Sequence, residues 1–117
     1  MDYIVKNLKE CTRCVKSLFP VLSIGYIPGK GYVIDYAFNS CNFSFILNGS
    51  GNFEKNGKVW KIQAPCVLTQ LPGILQIYGP ENKWEELFII YPPNLVFKFI
   101  ESGHIFLCIQ SVPGYFY

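Results

Sequence analysis

Turn residues recur at short intervals from Phe43 to Pro93, in the stretch FSFILNGSGNFEKNGKVWKIQAPCVLTQLPGILQIYGPENKWEELFIIYPP. Short strands cut apart in this way predict a small all-β sandwich or barrel. Gly49-Ser50-Gly51 breaks an apolar run, and glycine tolerates the positive φ that a tight reversal needs. Asn56-Gly57, flanked by Lys55 and Lys58, is the strongest local hairpin signal, because both central residues of a type I′ turn take positive φ. Ala64-Pro65 and Pro72-Gly73 end the next two runs, since proline removes a ladder donor and presets a turn. The expected product is a β-meander of roughly five or six strands.

The order Asn48-Gly49-Ser50-Gly51, Asn56-Gly57-Lys58, Ala64-Pro65-Cys66, Leu71-Pro72-Gly73, Tyr78-Gly79 and Trp84-Glu85-Glu86-Leu87 resembles the N-terminal sensing domain of AraC-type transcriptional regulators. The resemblance implies a cupin-like double-stranded β-barrel, or jelly roll, with short flanking helical segments and a small effector, often a sugar, bound inside. It divides the chain into an arm or short helix over 1–20, the barrel over 21–93 and a C-terminal extension over 94–117. Sensing domains of this family continue into a pair of dimerising helices and two helix-turn-helix units. Neither is recognisable here, so the expectation is a chain cut before them, a homodimer, and DNA contact only through a domain beyond Tyr117.

Before the central stretch, Tyr3, Ile4, Leu8, Cys11, Val15 and Leu18 recur at spacings of three and four, which allows a short amphipathic helix. A frayed terminus, or an arm that closes over the ligand as the resemblance implies, is the other reading. Val21–Ile27 and Tyr32–Phe38 read as strands around the turn Pro28-Gly29-Lys30-Gly31. In the second of these, Tyr32, Ile34, Tyr36 and Phe38 share one face, while Val33, Asp35 and Ala37 share the other. Past Pro92-Pro93, Asn94 is placed to cap a short helix over Leu95–Glu101 that Gly103 ends, and 104–110 reads as a buried strand or helix fragment.

Composition limits the partners. Half of the residues are hydrophobic and only 15% are charged, so apolar area must be exposed or covered by a partner. The net charge of +2 rests on scattered lysines, which gives no electrostatic footprint for nucleic acid. The first residues carry Asp2, Lys6 and Lys9 and no long apolar core, so no secretory signal is expected, nor is a membrane span. Five cysteines, Cys11, Cys14, Cys41, Cys66 and Cys108, form no regular framework, and reduced thiols in a cytoplasm are the simplest reading. Cys11-Thr12-Arg13-Cys14 has the spacing of half a zinc site without a second half.

Catalytic constellations are not assembled. Against the metal pattern of cupins, the ligand positions fall near Tyr36, Phe38, Asn42 and Gln76, none of them a histidine or carboxylate, so no metal and no cofactor is expected. His104 is the chain's one histidine and sits in an apolar run. Glu85 and Glu86 are neighbours on a strand, so they point to opposite faces and do not flank one substrate bond.

A binding pocket is better supported. Along 84–91, Trp84, Glu86, Phe88 and Ile90 share a face, and Gln76 and Tyr78 share one on the preceding strand. Aromatic planes with a few polar groups suit a small-molecule site. The resemblance implies that Tyr78, Glu86 and Phe88 match sugar-contacting positions. Here an acid stands at Glu86 where a histidine is typical, Phe88 replaces tryptophan, and the neighbourhood of Asp35 lacks the usual arginine, which opens the site to a cationic or less polar effector. The candidate ligand-binding set is Asp35, Tyr36, Gln76, Tyr78, Trp84, Glu86 and Phe88. The alternative is that these side chains fill a solid barrel.

The function expected from the whole is an effector-sensing, non-catalytic domain. Its alternatives are a stand-alone metal-independent cupin enzyme of sugar isomerase or epimerase type, with Tyr78 and Glu86 as acid and base, and a carbohydrate-binding module.

Overall fold

The structure, a computed structural model, describes residues 4–7, 20–102 and 115–116. They form strands β1 (Ile4–Asn7), β2 (Ser23–Lys30), β3 (Ile34–Ala37), β4 (Cys41–Asn48), β5 (Ser50–Lys55), β6 (Lys58–Gln63), β7 (Cys66–Gln70), β8 (Leu75–Pro80), β9 (Trp84–Tyr91) and β10 (Tyr115–Phe116). A single 3-10 turn, Pro93–Leu95, leads into α1 (Val96–Glu101). The strands make a six-stranded sheet in the order β1-β2-β9-β4-β7-β10 and a four-stranded sheet in the order β3-β8-β5-β6.

The turns from Phe43 to Pro93 fall where the sequence puts them, but Pro28-Gly29-Lys30, expected as a turn, continues strand β2, and the expected meander does not form. Asn56 and Gly57 have φ of 54° and 76° and close the β5–β6 hairpin, with Lys55 opposite Lys58. From β2 to β5, and again from β6 to β9, the chain changes sheet at each step, so most pairing is between strands distant in sequence. Turn residues mark where a strand ends; whether the next strand folds back or crosses over depends on which faces must be buried. The result is the two-sheet jelly roll.

Gly49 alone links β4 to β5 across the sheets, at φ 107°. A Cβ there would sit 2.7 Å from the Trp84 Cβ and 2.8 Å from the Lys83 carbonyl oxygen. Gly49→Ala therefore combines backbone strain with a clash, and is expected to lower the unfolding free energy by about 1–3 kcal/mol in urea titration.

β4 is buried on both sides. Its inward residue Ile46 joins Phe53, Ile62, Cys66, Leu68, Tyr78 and Trp84 in the core between the sheets. Its outward residues Cys41 and Phe43 meet Leu95 and Phe99 in a second cluster under the helix, where Phe99 packs edge-on against Phe43 and Tyr91 at 5.1 and 4.8 Å between ring centroids. A six-residue helix is too short to persist alone, so this packing holds it. The expected Asn94 cap is not made: the 3-10 turn takes in Asn94, the cap falls to Leu95, and no side-chain bond closes it.

Ile4–Asn7 is a strand rather than helix, paired antiparallel with β2. β-branched Ile4 and Val5 suit that edge, and the backbone bonds it offers outweigh the helical spacing. Residues 8–19, with Cys11 and Cys14, and 103–114, with Gly103, His104 and Cys108, lie outside the described residues. No helix among the described residues is long and apolar enough to cross a membrane.

Cys41 and Cys66 are buried free thiols, and burial pushes both from 9.0 up to about 11. A raised folded value means that the unfolded chain loses these protons first, so their contribution is complete below pH 9 and is lost as pH rises through about 11. The urea midpoint should fall across this window, and fall less in Cys41→Ala, each protein being referenced to its own midpoint at pH 8.

Candidate ligand-binding site

Period-2 alternation turns Trp84, Glu86, Phe88 and Ile90 of β9 inward, as the sequence predicts. Trp84 and Glu86 are each 2% exposed. Glu85 points outward, where its carboxylate accepts a hydrogen bond from the Tyr26 hydroxyl. Opposite β9, Gly25 pairs with Phe88 and leaves the space that its ring occupies; a Cβ there would meet the ring at 2.1 Å.

A β-bulge supplies the side chain that the sequence reading missed. Ile27 pairs with Glu86 and Lys30 with Trp84, so three steps along β2 match two along β9. The extra residue, at Pro28-Gly29, restores Lys30 to the inward face that Ile27 already occupies. Simple alternation would turn Lys30 outward. Instead it is 2% exposed, with Nζ donating to Glu86 Oε1 at 3.0 Å. Trp84 Nε1 donates to the same oxygen at 2.9 Å. Aromatic faces surround the ammonium, with Nζ at 4.8 Å from the Tyr78 centroid, 5.2 Å from Tyr32 and 6.0 Å from Trp84. The box that the sequence offered to a cationic effector is thus filled by the chain's own lysine.

This pair lies at the side of a cavity of about 190 Å³ between the sheets. Ile27, Ile34, Phe38, Phe88 and Ile90 make most of its wall, and Lys30, Asn42, Ser44, Gln70, Tyr78 and Glu86 supply the polar groups, with half-exposed Tyr32 at its mouth. Ser44 and Gln70 bond each other, Gln70 Nε2 donating to Ser44 Oγ at 3.2 Å. Burial holds the Lys30 ammonium below its ordinary value, with Glu86 opposing. Burial and the Glu86 charge raise Tyr78, so its hydroxyl stays a proton donor; a bond with Ser44 opposes this weakly.

The expected site residues separate into four groups. Tyr78, Glu86 and Phe88 line the cavity. Trp84 stands behind it, holding Glu86 through its indole N–H. Gln76 is fully buried elsewhere in the interior, its Nε2 donating to the Thr69 carbonyl at 3.3 Å and its Oε1 without a partner. Asp35 and Tyr36 are exposed on β3, away from the cavity wall; Tyr36 is 57% exposed and touches Phe38 edge-on. Asn42, Ser44 and Gln70 escaped the reading because the large residues of β4, Phe43 and Phe45, draw attention to the opposite face, which α1 covers.

The donor set does not fit the divalent ion that many barrels of this class hold. Glu86 is the one buried carboxylate among the described residues, and a lysine ammonium already neutralises it. Among those residues no group of three or more His, Cys, Asp or Glu is placed to hold a metal.

No family profile and no curated relative matches the sequence. Solved structures do. A candidate ethanolamine utilization protein Q (EutQ) from Salmonella typhimurium superposes with TM-score 0.52 at 17% identity, over 62% of this chain and 58% of its own. The Clostridium difficile EutQ protein gives 0.57 at 15% identity, over 79% of this chain and 69% of its own. A cupin 2 conserved barrel domain protein from Salinispora arenicola gives 0.56 at 12% identity, over 86% and 84%. The chain thus spans little more than half of the first of these proteins and about two thirds of the second. At such identities the likeness carries architecture alone, and on it the chain has the cupin fold.

Proposed function

We propose that the barrel binds one small, largely apolar molecule in the cavity beside Lys30 and Glu86, and that it acts as a sensing domain rather than as an enzyme. The observation that supports this is the cavity itself: mostly apolar walls with an ion pair, two amides and the hydroxyls of Ser44 and Tyr78 among the lining groups. That is how pre-formed small-molecule sites are built. Walls of isoleucine and phenylalanine favour a ligand less polar than a sugar. The regulatory role, the dimer and the DNA-binding half come from the resemblance to AraC-type regulators; in that reading the ligand biases how the barrel contacts those parts.

The second reading is acid–base catalysis without metal, favoured by Tyr78 and Glu86 flanking one cavity. A thermal-shift screen of monosaccharides, small aromatic alcohols and small aromatic acids, followed by NMR of each hit over hours, separates the two. A ligand at a hundred times its dissociation constant adds about 2.7 kcal/mol of stability. The expected result is stabilisation by an apolar member, unchanged ligand spectra, and no stabilisation in Ile34→Trp, which fills the cavity. Turnover of a hit would favour the enzyme; a hit that stabilises Ile34→Trp equally would move the site elsewhere.

A further inference from the structure

We propose that Lys30 is a covalent site, its Nζ condensing with a small apolar aldehyde or ketone to form an imine inside the cavity. The inference rests on the binding reading above and adds the ligand's chemical class. Three features of the site carry it. Lys30 is among the residues that line the cavity and is 2% exposed, so its amine is shielded from bulk water beside the ligand space. Glu86 stands within hydrogen-bond reach of Nζ, placed to take its proton. The aromatic walls at Tyr78 and Tyr32 stabilise a cationic nitrogen, and an iminium is one. Burial also holds the ammonium below its ordinary value, the usual way a lysine is activated as a nucleophile.

The step balances with the groups present. The Lys30 ammonium gives one proton to the Glu86 carboxylate, and the freed lone pair attacks the carbonyl carbon. The C–N bond forms and the C=O π pair moves to oxygen. Glu86 delivers its proton to that oxygen and accepts a second from nitrogen. It then protonates the hydroxyl, the C–O bond breaks, water leaves, and the nitrogen lone pair closes the C=N bond. The products are an iminium paired with the Glu86 carboxylate and one water, so the net charge of the pair is unchanged. A cavity of about 150 Å³ holds benzene. One of about 190 Å³ therefore takes a ring of that size with a formyl group.

The test treats the folded protein with limiting benzaldehyde and sodium cyanoborohydride, which reduces the iminium to a stable N-benzyl amine, and maps the adduct by peptide mass spectrometry. Exposed Lys58, Lys61, Lys83 and Lys98 are internal comparators. The expected result is labelling of Lys30 at least about tenfold faster than any of them, a rate suppressed by Glu86→Gln and by competing benzyl alcohol, and no preferred site in Lys30→Arg, which keeps the charge. Benzyl alcohol has the same shape without the carbonyl, so its thermal shift reads binding alone. If it stabilises the protein while Lys30 stays unlabelled, the covalent inference is overturned and the binding reading stands. If it does not bind and labelling is spread over the exposed lysines, both fall.

Discussion

Lys30→Met is expected to lower the unfolding free energy by about 3–5 kcal/mol, and adding Glu86→Leu to recover most of that loss. The single change leaves the Glu86 carboxylate 2% exposed beside Trp84 and Tyr78 with no cation to oppose it. Taking both charges away leaves apolar side chains of similar volume in a mostly apolar space, which costs little. A domain of this size has roughly 5–15 kcal/mol in total, so the single variant sits near the edge of folding and the double does not. Urea titration of the parent, Lys30→Met, Glu86→Leu and the double variant gives the comparison directly. A double variant that loses as much as the single changes added together would mean that the two side chains do not act as a pair. The same result bears on function: a pair that can be replaced without loss of stability is held in the cavity for something other than stability.

Trp84→Ala is expected to cost about 3–5 kcal/mol, whereas Trp84→Phe costs about 1–3 kcal/mol. The indole fills the core with Phe53, Ile46 and Tyr78, and its N–H bonds Glu86 at 2.9 Å. Alanine removes both contributions, while phenylalanine keeps most of the packing and removes only the bond to a charged acceptor. The difference between the two variants separates the ring from the proton. A Trp84→Phe variant as stable as the parent would mean that the hydrogen bond contributes nothing measurable, and equal losses in the two variants would mean the same of the ring's packing.

What could be read from the sequence was local, and what could not was a matter of sides. Asn56-Gly57 names its own turn because only positive φ closes that hairpin. The inward face of β9 follows from alternation, and with it Glu86 and Phe88. Lys30 does not follow: a bulge at Pro28-Gly29 breaks the period of two, and the sequence reads those residues as a turn. A proline and a glycine inside a β-run were the available signal. Asp35 and Tyr36 illustrate the opposite case. Their strand does not keep the expected alternation: Asp35 and Tyr36 are both exposed, Tyr36 at 57%, while Ile34 and Phe38, expected on the same face as Tyr36, line the cavity. For β4 the hydrophobic pattern pointed to the face beneath α1, since phenylalanines bury more area than Asn42 and Ser44, and the polar side proved to be the cavity side.

Of all the claims made for this chain, the binding cavity is the one on which the rest depends, and the two tryptophans allow it to be tested in one experiment. Trp84 Nε1 bonds the cavity carboxylate, while Trp60 packs on Phe53 away from the cavity wall. The nitrogen-15 spectrum therefore has one indole signal at the site and one control, assigned with Trp84→Phe. Titrating benzyl alcohol should move the Trp84 signal along a saturable curve and leave Trp60 in place. A Trp84 signal that stays fixed to saturating benzyl alcohol, or a Trp60 signal that moves in its stead, would contradict the account.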